Sequence, residues 1–345
     1  MAIRVNVLMG GPSAEYEISL NSGSQILTYI DKGKYSLRAV VINKEKQFYY
    51  ADVVDGKVPD VHTYAEGGSV FKGPFHPSAS KEIWEGCDAA LLALHGEFGE
   101  DGTVQGFLEA IGIPYSGSNV YASAVAMNKI TSKFLYETVG LAVPEYSIYG
   151  VNNPDVTVDT IIKKHGFPCF LKCPQSGSSR LMGRAADRAS LEALLKELRE
   201  SADSILVETT VTGIEFSCGV LDMPDGTTKA LPPIEIRPAD ASEFFDYTAK
   251  YSKGGSIEIV PAPRPEELLR RIQDVAVAAH KVLGCHGVSR TDMIYDDKDL
   301  RVLETNTLPG MTSASLLPQA YKAIGGTYEG LLDVLIGTAL AKKRA

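Results

Sequence analysis

The chain has 345 residues, 44% of them hydrophobic and 22% charged, with a net charge of −9. That length exceeds one ordinary core and points to two or three domains of a globular protein. The acidic balance argues against indiscriminate nucleic-acid binding and against a polybasic membrane patch, and no apolar run reaches the ~18 residues that a membrane helix needs. The start MAIRVNVLMGG enters a strand directly without a signal-peptide pattern, so a cytoplasmic location is expected. Cys87, Cys169, Cys173, Cys218 and Cys285 form no C-x-x-C pair and read as buried reduced thiols.

Ile3 to Met9 is a β-branched apolar run that stops at Gly10-Gly11. Ile18, Leu20, Ile26, Leu27 and Ile30 follow at near-helical spacing. With strands over Leu37–Ile42 and Ala89–Leu94, this predicts an α/β unit with a parallel sheet. The loop His95-Gly96-Glu97-Phe98-Gly99-Glu100-Asp101-Gly102 then stands at a strand's carboxyl end, where open α/β sheets bind ligands. Residues 44–85 are rich in Gly, Pro and His and read as an insertion with no assignable chemistry.

Val120 to Val139 reads as one helix closed by Gly140, carrying Lys129 and Lys133. Phe167 to Lys172 is a strand leading into a small-residue loop, Pro174 to Arg180. Leu191 to Leu198 is helical and Ser204 to Glu208 a strand. Phe216 to Leu221 and Ala230 to Ile236 follow as antiparallel strands. The polar, aromatic, glycine-ended run Asp246 to Gly255 fits a lid. Glu266 to Leu283 is a helix between Pro265 and Gly284.

Ser289 to Leu317 holds the densest chemistry. Two strands joined by Asp296-Asp297-Lys298-Asp299 place Asp292 opposite Glu304, and put Asn306 on the face of Glu304. Two carboxylates and an amide oxygen make a hard site that Mg²⁺ completes with phosphates and water. Arg290 shares that face, and the loop Thr307 to Ser313 can turn N–H groups toward an oxyanion. A solvated acidic hairpin explains the same spacing, and spacing alone does not choose between the two. Gly177-Ser178-Ser179, after Lys172, can wrap a phosphate or simply turn the chain, and it matches neither a P-loop nor a dinucleotide fingerprint.

In combination these motifs are specific. The chain resembles the D-alanine–D-alanine ligases of the ATP-grasp superfamily over nearly its whole length. The matching stretches are GGPSAEYEISLNSG at 10–23, LHGEFGEDGTVQGFLE at 94–109 and PYSGSNVYASAVAMNKITSK at 114–133. DYTAKY at 246–251, SRTDM at 289–293 and LETNTLPGMTSASLLP at 303–318 follow in the family's order.

The resemblance implies an α/β (α+β multidomain) ATP-grasp fold. Its parts are an N-terminal α/β substrate domain (1–128), a central lobe (129–214) and a C-terminal lobe with lid and metal site (215–345), the two lobes sandwiching ATP. It implies Asp292, Glu304 and Asn306 as ligands for two Mg²⁺ or Mn²⁺ ions. Lys129 and Lys172 would meet the α- and β-phosphates and Lys250 the γ-phosphate, with Ser178 in the phosphate loop. Glu208 and Val211 would read the adenine edge and Glu215 hold the ribose. Glu15 would orient the ammonium of the first D-alanine, with His95 near it. Arg290 and the N–H of Gly310 would steady the oxyanion. Ser315 with Arg290, and Leu316 beside them, would hold the second substrate. Glu15, Ser178 and Tyr251 would form a closing hydrogen-bonded triad.

The implied activity is ATP-dependent formation of D-alanyl-D-alanine through an acyl phosphate, for peptidoglycan precursors. The implied enzyme is a cytoplasmic homodimer whose partners are ATP and D-amino acids, with no nucleic acid and no membrane. The chain departs from the family pattern at Lys172-Cys173, where Lys-Pro is usual, at Ser176, Arg180 and Leu181 in the phosphate loop, and at Phe245 in the lid. Those departures motivate an alternative, a catalytically weakened nucleotide-binding protein of the ATP-grasp kind. Another keeps the mechanism and changes the acceptor to D-serine, D-lactate or another amino acid. Related depsipeptide-forming ligases carry a lid histidine where this chain has Tyr251, which favours D-alanine.

Overall fold

The computed structural model describes residues 2–175, 181–238 and 256–341. Three sheets organise them. The first gathers β1 (Ile3–Gly10), β2 (Tyr35–Ile42), β3 (Phe48–Asp52), β4 (Lys72–Phe75) and β5 (Ala89–Leu92) in the order β4-β3-β2-β1-β5. β1 is parallel to β2 and β5, as the apolar runs predict. β3 and β4 add antiparallel strands at one edge, so residues 44–85 are part of the sheet rather than an insertion upon it. Packing explains why: Phe48 lies against Trp84 and Phe107, and Arg38 forks onto Asp52 at 2.7 and 3.1 Å while donating to the carbonyl of Ile83. α1 (Tyr16–Tyr29), the short α2 (Lys81–Trp84) and α3 (Thr103–Ala110) cover this sheet's faces.

The expected helix over Val120–Val139 is two helices, α4 (Val120–Met127) and α5 (Lys129–Thr138). Asn128 breaks the run. Its side chain accepts from the N–H groups of Ile130 and Thr131, an N-cap, while the freed N–H of Lys129 donates to the Pro174 carbonyl at 2.9 Å. The break therefore ties the start of α5 to the end of the strand that carries Lys172.

The second sheet is antiparallel, β6 (Tyr146–Gly150), β9 (Ser204–Thr209), β7 (Cys169–Lys172) and β8 (Met182–Ala185) in that order. β7 alternates between buried and half-buried residues, and β9 is buried from Ile205 to Glu208. Cys169, Leu171, Ile205 and Val207 pack beneath α6 (Val158–His165) and α7 (Arg188–Arg199), a core that Leu181 joins from its edge. Lys172 and Glu208 therefore stand on the other face, at diagonal positions of neighbouring strands.

The third sheet is antiparallel too: β13 (Ser256–Ile259), β12 (Ile234–Pro238), β10 (Ile214–Asp222), β14 (Val288–Tyr295) and β15 (Leu300–Asn306), with β11 (Thr228–Ala230) on β10. The strand expected over Ala230–Ile236 is split into β11 and β12, because Pro232-Pro233 offers no N–H to a ladder. α8 (Glu266–Val282) lays Ile272 and Ala276 over Phe216, Val220 and Met293. After α9 (Leu316–Ala323), α10 (Tyr328–Ala341) returns to the first sheet, where Leu331, Leu332 and Leu335 share a core with Leu91 and Ala93. All five cysteines are free and four are buried. No helix among the described residues is long and apolar enough to cross a membrane.

Candidate active site

The hairpin β14–β15 sets the geometry. Asp292 pairs with Glu304 and Arg290 with Asn306, in the register that the sequence predicts. Asp296 closes the turn by accepting from the N–H groups of Lys298 and Asp299. Between the pairs Asp292–Glu304 and Met293–Val302 the register skips one residue on β15, a bulge. It lets Val302 turn into the core while Glu304, two residues on, faces a cavity. On the reverse face Thr305 bonds Thr291 at 3.0 Å and accepts from the fully buried hydroxyl of Tyr136 at 2.8 Å.

Arg290 donates a bidentate pair to Asp292, 3.0 and 2.8 Å, and the Ser217 hydroxyl donates to the same carboxylate. The ammonium of Lys129 lies 3.1 Å from Glu304. Among the described residues no cluster of three or more His, Cys, Asp or Glu side chains forms a metal cage. Two carboxylates and an amide oxygen on one sheet face are nonetheless the hard donor set that Mg²⁺ accepts when substrate phosphates and water complete its shell. The residues present fit such an ion.

The cavity holds about 330 Å³. Its floor carries Glu215, Ser217, Arg290, Asp292, Glu304 and Asn306, and its wall is the loop from Thr307 to Leu316, with Gly310, Ser315 and Leu316. A Cβ on Gly310 would stand 2.9 Å from Oγ of Ser315, so a side chain here would displace that hydroxyl. The Ser315 hydroxyl accepts from the Thr312 N–H at 3.1 Å and meets the Thr312 hydroxyl at 2.8 Å. Glu15, His95 and Glu100 line the same cavity. Gly96, at φ +66, lets the chain pass Glu15 with no side chain in the way. His95 lies 3.8 Å from Glu100 and 3.3 Å from the Ser22 hydroxyl. Burial, and the nearby charge of Glu15, raise the Glu100 carboxyl above its usual range against the pull of His95.

A second charged group lies on the four-stranded sheet. Glu208, 2% exposed, is clamped by Lys172 at 2.6 Å and by Lys133 at 2.5 Å. Burial pushes its carboxyl up, but the two lysines outweigh that and hold it at about 2. Val211 follows β9, outside the residues lining the cavity.

The structure thus gathers Glu15, His95, Lys129, Glu215, Arg290, Asp292, Glu304, Asn306, Gly310, Ser315 and Leu316 around one cavity. It sets Lys172 and Glu208 together beside it. Ser178, Lys250 and Tyr251, with Ser176, Arg180 and Phe245, lie outside the described residues. Sequence reasoning missed three neighbours. Ser217 bonds Asp292 across strands, Glu100 sits against His95, and Lys133 is buried against Glu208. Only Glu100, in the same polar loop as His95, had a local signal; the others depend on partners roughly 75 residues away.

Two antiparallel sheets, one of them beneath a carboxylate-lined cavity, beside a sheet that is parallel over β2, β1 and β5, define an ATP-grasp protein. Comparison with known proteins agrees. The family profile described as D-ala D-ala ligase N-terminus matches residues 4–118, and the one described as D-ala D-ala ligase C-terminus matches 135–337. A D-alanine–D-alanine ligase of Syntrophobacter fumaroxidans is 40% identical over 98% of both chains. Among solved structures, the VanG D-Ala:D-Ser ligase of Enterococcus faecalis has a TM-score of 0.86 at 31% identity, covering 98% of this chain and 100% of that one. The ATP complex of a Bacillus anthracis D-alanine–D-alanine ligase has a TM-score of 0.77 at 33% identity, covering 98% of each. The chain belongs to the D-alanine–D-alanine ligase family.

Proposed function

We propose that this protein joins two D-alanines at the expense of ATP, supplying the dipeptide for peptidoglycan precursors. The observation that carries the reading is that Glu15 and His95 line the same cavity as Arg290, Asp292, Glu304 and Asn306. A carboxylate is a poor acyl donor because its leaving group would be oxide. The first D-alanine's carboxylate takes the γ-phosphoryl group of ATP, ADP leaves, and the acyl phosphate formed has phosphate as its leaving group. The neutral amine of the second D-alanine then attacks the acyl carbon, phosphate departs and the amine loses a proton.

Each residue has a task in that sequence. Glu15 takes the first substrate's ammonium. Lys129 and Lys172 hold phosphate charge, with Lys250 in the lid, and Glu215 takes the ribose while Glu208 and Val211 read adenine. Asp292, Glu304 and Asn306 would hold Mg²⁺ or Mn²⁺, and such ions neutralise charge on the transferring phosphoryl group. Arg290 and the Gly310 N–H steady the oxyanion, and Ser315 takes the second carboxylate beside Leu316. Ser178 and Tyr251 join Glu15 in closing the site, which keeps water from the acyl phosphate. The reading includes the division into 1–128, 129–214 and 215–345, a homodimer and a cytoplasmic location. What supports the division is that three separate sheets draw their strands from 3–92, 146–209 and 214–306.

The test is ADP release with Mg²⁺ and D-alanine alone, followed by mass spectrometry of the product. Turnover that requires a mixed acceptor would sink the D-alanine reading. The likeness to a solved D-Ala:D-Ser ligase makes D-serine the first alternative acceptor to try.

A further inference from the structure

We propose that Lys133 is a positioning residue for the nucleotide site, the counter-charge that keeps Glu208 ionised and in place when Lys172 turns from it to a nucleotide phosphate. The inference rests on the ATP reading above and adds a residue to it. Glu208 carries two ammonium groups, at 2.5 and 2.6 Å, where one would neutralise it. The two lysines differ in reach. Lys172 has a side chain 14% exposed and feels the charges of Glu304 and Glu215, which do line the cavity. Lys133 is 1% exposed, rises from α5 and packs with its ammonium 5.9 Å from the centre of the Tyr146 ring.

An anion at the cavity will therefore recruit Lys172 and not Lys133. Without a second cation, that recruitment would strip a buried carboxylate of its partner, and desolvation would drive it to take a proton. A protonated Glu208 could no longer accept fully from an adenine amino group. Lys133 removes the conflict, because one lysine leaves and the other remains. The same burial that makes it suitable also lowers its own ammonium below the usual range, with Glu208 as the main opposing influence. The start of α5 is fixed by the Lys129 N–H bond to the Pro174 carbonyl, just beyond β7, so helix and strand present their lysines to Glu208 as one unit.

The experiment uses the full chain with ADP and Mg²⁺. In a structure of the ADP complex, Lys172 should stand beyond about 4 Å from Glu208 while Lys133 stays within about 3 Å. Lys172 remaining on Glu208, or Lys133 parting from it, overturns the inference. In kinetics, K133M should raise the KM for ATP at least about tenfold with the KM for D-alanine and kcat changed less than about threefold. A loss spread evenly over all three constants marks a structural role and also overturns it. If K133M does not fold, the ADP complex decides alone. Absence of ADP binding by the unaltered chain would sink the ATP reading itself, which is a distinct outcome.

Discussion

Glu208 and Glu304 are both glutamates on antiparallel strands beside the same cleft, yet they are built for different duties. Glu208 is almost fully buried under two lysines, and its charge is matched before any ligand arrives. The Glu304 side chain is 27% exposed, faces the cavity and has Lys129 at 3.1 Å. The first arrangement holds a carboxylate ionised inside the fold; the second presents a carboxylate to the cavity. Surrounding charge and exposure, and not residue type, set the two carboxylates apart.

The sharpest way to break this contrast is to delete each side chain's charge. Glu208→Ala strands two buried ammonium groups, and removal of one member of such a group costs on the order of 3–5 kcal/mol. A large fall in melting temperature is expected, read by calorimetry. Glu304→Gln should leave the melting temperature within a degree or two and lower turnover about 10²–10³-fold, the several kcal/mol of charge stabilisation that a metal ligand supports. Turnover at the parental rate in Glu304→Gln would remove the metal reading. Unchanged stability in Glu208→Ala would remove the clamp.

Legibility in the sequence follows the same divide. The hairpin was readable because its determinants are local: an acidic turn, alternation on both sides and partners within about twenty residues. The family motifs extended that reading to Glu15, His95 and the loop after Asn306, which line one cavity. The clamp was not readable. Lys133 sits on a helix between Thr131-Ser132 and Phe134-Leu135, where nothing local marks it as buried, and its partner Glu208 is far along the chain. The break at Asn128 was missed for a related reason. No proline or glycine marks it, and the Pro174 carbonyl that receives the Lys129 N–H lies on another element. Residues 44–85 were opaque because β3 and β4 are short and become strands only by pairing, β3 with β2 and β4 with β3.

The clamp also has a pH signature. The folded Glu208 carboxyl is held at about 2, against an ordinary 4.5, by Lys172 and Lys133 working against burial. Its folded value lies below its unfolded one, so its stabilisation is complete above about pH 4.5 and drains away as pH falls toward 2. Melting temperatures taken from pH 7 down to 3 should fall, and Glu208→Gln should flatten part of that fall. The residual slope in the variant belongs to other depressed carboxyls, among them Asp222, held down against burial by His280 and Thr228. Identical slopes in both proteins would mean that the lysines do not hold Glu208 as described.

The smallest effect is expected on the reverse of the hairpin, where support and chemistry are one residue apart. Tyr136 donates to Thr305, and Thr305 also bonds Thr291, so Tyr136→Phe removes one hydrogen bond without leaving Thr305 unpartnered. The phenyl ring keeps the packing, and the loss should be about 1 kcal/mol, near the mean for a single intramolecular hydrogen bond. That corresponds to a drop of roughly 2 °C in melting temperature for a chain of this size. Because Thr305 points away from Glu304 and Asn306, turnover should stay within about twofold. A large loss of turnover with a small loss of stability would show that the buried face aims the carboxylates rather than merely carrying them, and the line drawn between framework and chemistry would then run through Tyr136.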